Sequence, residues 1–117
     1  MRLVAIGLIC SLGGSSAWAA DRHGDYMVRG VGTSSCGHWV QSHLLTDQGA
    51  TAFQLDAWVT GFVTAFNAYK SDRKDVAEGI DTDGLLAWID SYCAAHPLTD
   101  LSGATVALVD ELQTHQR

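Results

Sequence analysis

The chain has 117 residues, with 7 Lys and Arg against 13 Asp and Glu and a formal net charge of −6 with histidine neutral. That balance leaves no basic patch for a nucleic acid or an anionic membrane surface, and the length fits one small domain. A domain of this size buries only about two-thirds of its unfolded surface, so a covalent cross-link contributes noticeably to its stability.

Residues 1–19 read as an export signal. Arg2 supplies a basic start, Leu3 to Cys10 an apolar run, and Ala17-Trp18-Ala19 a small-x-small site, with cleavage expected after Ala19. The run is too short to span a bilayer, so no membrane insertion is expected after signal removal. Cys10 raises a lipoprotein alternative, but the preceding Ile9 is large where lipid attachment needs a small residue, and Cys10 is expected to leave with the signal. The mature chain then carries six Lys and Arg against thirteen carboxylates and keeps two cysteines, Cys36 and Cys93. In an oxidising compartment such a pair reads as a disulfide, worth about 4 kcal/mol for a loop of this length in the chain-entropy account. Below about pH 3 the carboxylates neutralise and the histidines charge, which takes the side chains to roughly +11 by ordinary pKa values.

Residues 20–34 have no apolar period, and Gly24, Gly30 and Gly32 loosen them, so a flexible arm is expected, with a short extended piece near Tyr26 to Val28. The helical domain is expected over 35–117. A first helix over about 35–45 is capped by Ser34 or Ser35, whose side-chain oxygen takes an orphan N–H, with Cys36, Trp39, Val40 and Leu44 near one face. Thr46 to Gly49 reads as a turn. The second helix, about 51–70, repeats Leu55, Trp58, Val59, Phe62, Phe66 and Tyr69 at helical spacing. Phe53, Ala57, Val63 and Ala65 widen that stripe, which predicts burial on more than one side. Gly61 costs it about 1 kcal/mol relative to Ala, and a close helix crossing would explain the glycine. Residues 71–83 are polar and charged and read as a solvated loop. A third helix over about 83–95 lines up Leu85, Trp88, Ile89, Tyr92 and Cys93, capped by Asp81 or Thr82 and ended before Pro97. A fourth, about 100–113 with Thr99 as cap, repeats Leu98, Leu101, Thr105, Leu108, Val109 and Leu112. The expectation is an all-α bundle of about four helices. Trp58 and Phe62 should face Leu85, Trp88 and Ile89 in its core.

No catalytic or metal constellation stands out. Cys36-Gly37-His38-Trp39 faintly resembles a thiol-protease signature, but a nucleophile must be a free thiolate. His23, His38, His43, His96 and His115 include no pair four apart on a helix, and no Cys-x-x-Cys or His-Glu-x-x-His occurs. The carboxylates of Asp72, Asp75, Glu78, Asp81 and Asp83 lack the spacing of a calcium loop. No cofactor, no metal and no enzymatic activity are expected. Trp39, Trp58 and Trp88 read as core or interface, where aromatic rings concentrate.

The chain resembles the HdeA/HdeB family of small periplasmic acid-stress chaperones over about residues 34–113. The likeness lies in Ser35-Cys36 opening a helix, in the aromatic Trp58-Val59-Thr60-Gly61-Phe62 helix and in the charged loop after it. It continues through Asp83 to Leu98, with Tyr92-Cys93-Ala94-Ala95-His96-Pro97 similar to the family's Tyr-Cys-x-x-Asn-Pro. The resemblance implies an HdeA-like bundle with one disulfide in the periplasm. It also implies a homodimer near neutral pH, and an acid-loosened state that holds unfolded periplasmic proteins. The chain departs from the family in having fewer lysines and a more aromatic second helix. A looser resemblance, through Trp58 to Phe62 and His96-Pro97, is to the Rap/Tai immunity proteins, and implies instead an inhibitor that binds one folded protein partner. The candidate client or partner surface in either case is Trp58, Phe62, Phe66, Trp88 and Tyr92.

Overall fold

The computed structural model describes residues 24–45 and 49–115. Among them lie a short 3-10 helix, Gly30–Thr33, and four α-helices: α1 Cys36–Leu44, α2 Gly49–Tyr69, α3 Thr82–Ala95 and α4 Leu101–His115. The export signal, the start of the arm and the turn at 46–48 lie outside the described residues. The fold is all-α with one disulfide, Cys36–Cys93, whose Cα atoms are 4.6 Å apart. It joins the first residue of α1 to the buried face of α3, and a disulfide of this kind belongs to an oxidising compartment.

The starts of α1, α3 and α4 each carry a side-chain cap. The Ser35 hydroxyl accepts the His38 N–H at 3.1 Å and the Asp81 carboxylate accepts that of Gly84 at 2.8 Å. At α4 the cap is Asp100 rather than the expected Thr99: its Oδ1 accepts from the Gly103 N–H at 2.7 Å and from the Ser102 hydroxyl at 2.8 Å. The Thr99 carbonyl is used elsewhere. It accepts the Cys36 N–H at 2.7 Å, Pro97 O accepts that of Gly37 at 3.0 Å, and Ser34 O accepts that of Leu101 at 2.8 Å. The starts of α1 and α4 thus satisfy each other's orphan donors.

The core is a set of narrow rows. Leu55, Val59 and Val63 come from α2, Leu85, Ile89 and Cys93 from α3, and Leu101, Ala104, Thr105, Leu108, Val109 and Leu112 from α4, closed by Trp39 and Cys36 of α1. The four-residue steps in α2 and α3 put one ridge of each helix inward.

Three expectations need correction. First, α2 is not buried on several sides: only Leu55, Val59 and Val63 are fully buried, while Phe53 and Tyr69 are 71% and 85% exposed. Second, Trp58 does not face α3. It lies on the 3-10 helix, where Gly32 leaves room for the flat ring and the indole N–H donates to Arg29 O at 2.8 Å. Residues 28–34 are therefore packed chain rather than free arm, and Val28 is buried. Third, the charged loop after α2 tucks Val76 and Ala77 into the core. The Asn67 amide anchors it, donating to Asp75 Oδ1 at 3.0 Å and accepting the Val76 N–H at 2.9 Å.

Candidate partner-binding face

The outer face of α2 is built by what the core leaves behind. Once Leu55, Val59 and Val63 point inward, the next row on the helix is Phe53, Ala57, Gly61, Ala65 and Tyr69, and all five are exposed. Between this row and the core stand Trp58, Phe62 and Phe66, half-buried and packed on the core by one edge. The Trp58 and Phe62 rings are 5.6 Å apart and tilted. Two open hollows flank the row. One, of about 430 Å³, lies between Met27 and Arg29 on one side and Trp58, Gly61 and Phe62 on the other. The second, of about 240 Å³, is lined by Phe62, Ala65, Phe66 and Tyr69, with Lys70 at its end. In a helix of 21 residues the one charged side chain is Asp56. A solvated helix normally carries charges on its outer face, and this one carries none there.

Asp56 is already committed. Its Oδ1 lies 2.9 Å from Nε2 of His43 in α1, and the Nδ1 of the same ring lies 2.8 Å from Trp39 O. Both nitrogens thus face acceptors, which only the doubly protonated imidazolium satisfies in full. Partial burial pulls the His43 pKa down, but the Trp39 carbonyl, Asp56 and the charge of Asp90 outweigh it and hold it above the ordinary histidine value. The ring also stacks on Trp39, with centroids 4.2 Å apart. Trp39 in turn donates its indole N–H to Asp90 of α3 at 2.6 Å. One stacked pair on α1 therefore clasps a carboxylate of α2 and a carboxylate of α3.

Of the five side chains expected to form a client surface, Trp58, Phe62 and Phe66 come together on α2. Trp88 and Tyr92 line neither hollow. They stack on one another along α3 at 5.2 Å, and Tyr92 stacks on His96 at 4.3 Å. Sequence reasoning missed the exposed row and Met27. The signal that was available is the absence of Lys, Arg and Glu throughout α2. Among the described residues there is no group of three or more metal-ligating side chains, and no helix is long and apolar enough to cross a membrane. Cys36 is held in the disulfide and offers no thiolate for protease chemistry. No protein-family model matches the chain, and neither a curated protein nor a solved structure matches it.

Proposed function

We propose that this protein is a non-enzymatic periplasmic holdase of the acid-stress type, related in kind to the HdeA/HdeB chaperones, which presents the outer face of α2 to unfolding proteins. The observation that carries this reading is an apolar, uncharged helix face that the folded chain leaves in water, with Phe53 and Tyr69 at 71% and 85% exposure. Contiguous apolar surface of this kind marks interaction sites. Two further features support it. Acid turns the net charge from negative to strongly positive, so self-repulsion grows over the whole surface as pH falls. The Cys36–Cys93 bond does not titrate, so α1 and α3 stay joined when packing loosens.

The test is light scattering of an unrelated acid-labile protein, with this protein at near-stoichiometric ratio. Suppressed aggregation near pH 2 to 3 is expected, with Phe53→Ser/Tyr69→Ser protecting several-fold less. Co-precipitation with the client, or no protection, rules the reading out. One observation favours a second reading: the hollow between Met27 and Phe62 is already formed in the folded chain, as an inhibitor or immunity protein with one folded partner requires. Capture of a single folded partner at neutral pH, without acid protection, would put that reading first.

A further inference from the structure

We propose that the trough along α2 binds one molecule of a single-chain fatty carboxylate at neutral pH, with the acid group on Arg29 and the tail running past Trp58 and Phe62 to Phe66. The two hollows on this face are consecutive lengths of one strip of the helix. Phe62 lines both, and their α2 residues advance by whole turns: Trp58, Phe62 and Phe66 form a wall of rings, and Ala57, Gly61 and Ala65 form the floor. Met27 and Val28 close the wider part. From Trp58 to Phe66 the strip runs about 12 Å along the helix, a length suited to an extended chain. The wider hollow, of about 430 Å³, lies within the size range of small-molecule sites, which are mostly apolar with a few placed polar groups.

Charge selects the ligand. The chain has 13 Asp and Glu against 7 Lys and Arg, yet among the described residues no carboxylate lines either hollow, and the two charged residues that do are Arg29 and Lys70. No ion pair among the described residues uses either of them. An apolar trough with cations and no acid is complementary to an apolar chain that carries an anion, and discriminates against a cationic one. Arg29 takes the acid group for two reasons. A planar guanidinium pairs with a carboxylate through two parallel hydrogen bonds, and the backbone of Arg29 is pinned beside the hollow by the Trp58 N–H at 2.8 Å. Lys70 directly follows the last residue of α2, where the helix carbonyls offset its charge. Gly61 fits the same picture. A methyl built on it meets no atom within 4 Å, so the chain's own packing does not require the glycine, and its missing side chain deepens the floor of the wider hollow. The trough is open, so part of the tail stays in water and affinity in the micromolar range is expected. The inference stands without the holdase reading, because it concerns the folded chain at neutral pH and a small molecule.

Calorimetric titration of the disulfide-intact protein at pH 7 with decanoate, kept below its micelle concentration, should give one molecule bound per chain. Decanol should bind about tenfold more weakly, and decylammonium should not bind measurably. Arg29→Gln should lower decanoate affinity about tenfold and Lys70→Gln by under about threefold. Both variants should keep the thermal midpoint, because Trp58 bonds the Arg29 carbonyl and not its side chain. Gly61→Leu should fill the floor and abolish binding with the helical circular dichroism spectrum retained. No binding at millimolar decanoate, equal affinity for decanol or decylammonium, or indifference to Arg29→Gln would each overturn the proposal. So would a larger loss with Lys70→Gln than with Arg29→Gln, or adsorption to phosphatidylglycerol vesicles in place of one-to-one binding of decanoate. Aggregation suppression at pH 2 to 3 is measured separately, so failure of one reading leaves the other to be judged on its own result.

Discussion

Gly32→Ala tests the packing that positions the candidate face. A methyl built on Gly32 would lie 2.8 Å from Cη2 of Trp58 and closer still to Cζ2 and Cε2. The backbone at 32 tolerates alanine, since its φ is not in the left-handed region, so the whole effect comes from the ring. Trp58 must retreat by an ångström or more. It is held from behind by Phe62 and tied in front by its N–H bond to Arg29 O. Overpacking of this kind costs about 1–3 kcal/mol, and loss of the indole hydrogen bond adds about 1 kcal/mol. We expect a total of about 2–3 kcal/mol in urea denaturation followed by far-ultraviolet circular dichroism. In a Trp58→Ala background the same methyl meets empty space and should cost less than about 0.5 kcal/mol. The double-mutant cycle therefore yields a coupling of about 2 kcal/mol. A coupling below about 0.5 kcal/mol would refute the docking of Trp58 on the 3-10 helix, and would return residues 28–34 to the status of a free arm.

The Cys36–Cys93 bond, spanning 57 positions, should leave no free thiol in the denatured, unreduced mature protein, and reduction should cost about 4 kcal/mol. Trp39 is fully buried and bonded to Asp90, whereas Trp88 is half-buried, so Trp39→Ala should cost about 3–5 kcal/mol and Trp88→Ala about 1–2 kcal/mol. The reverse order in urea denaturation would invert this account of the core. His43 has a raised pKa in the fold, so its contribution is complete below the unfolded histidine value and is lost as pH rises through the folded one. With side chains of His43 and Asp56 26% and 31% exposed, the effect should stay under about 1 kcal/mol. It should appear as a decline in stability from pH 6 to pH 8 that is missing in His43→Gln, and an identical slope in the variant would exclude the clasp.

Helix positions were legible because caps and apolar spacing are local. Ser35 and Asp81 stand where the chain enters α1 and α3, and Leu85, Ile89 and Cys93 recur at one turn. The phase of α2 was not legible. A helix apolar on nearly every side has no polar face to orient it, so Phe53 and Tyr69 looked as buried as Leu55 and Val59. Gly30, at φ +66°, uses the backbone freedom for which it was read, whereas the role of Gly32 is the space it leaves for the Trp58 ring. Thr99 and Asp100 are both good caps, and the choice fell to Asp100 because the Thr99 carbonyl is needed by α1. The clasp joins residues 13 and 51 positions apart, a pairing that no local pattern encodes.

The ties that hold the four helices differ in kind. α1 and α3 are joined by a covalent bond, and α1 and α4 by backbone hydrogen bonds between their first residues. Neither tie titrates. α2 is joined to α1 by His43 and Asp56 and to the 3-10 helix by Trp58 and Arg29 O, on top of one row of apolar contacts through Leu55, Val59 and Val63. Only the first of these polar ties contains a carboxylate. As pH falls, positive charge accumulates over the whole surface. What then retains α2 is its aliphatic row, the half-buried rings of Trp58, Phe62 and Phe66 packed on the core, and the neutral hydrogen bonds of Trp58 to Arg29 O and of the Val76 N–H to Asn67. α2 is thus held to the other helices by packing and side-chain hydrogen bonds rather than by the disulfide or by paired helix starts, and it is the element that carries the apolar face.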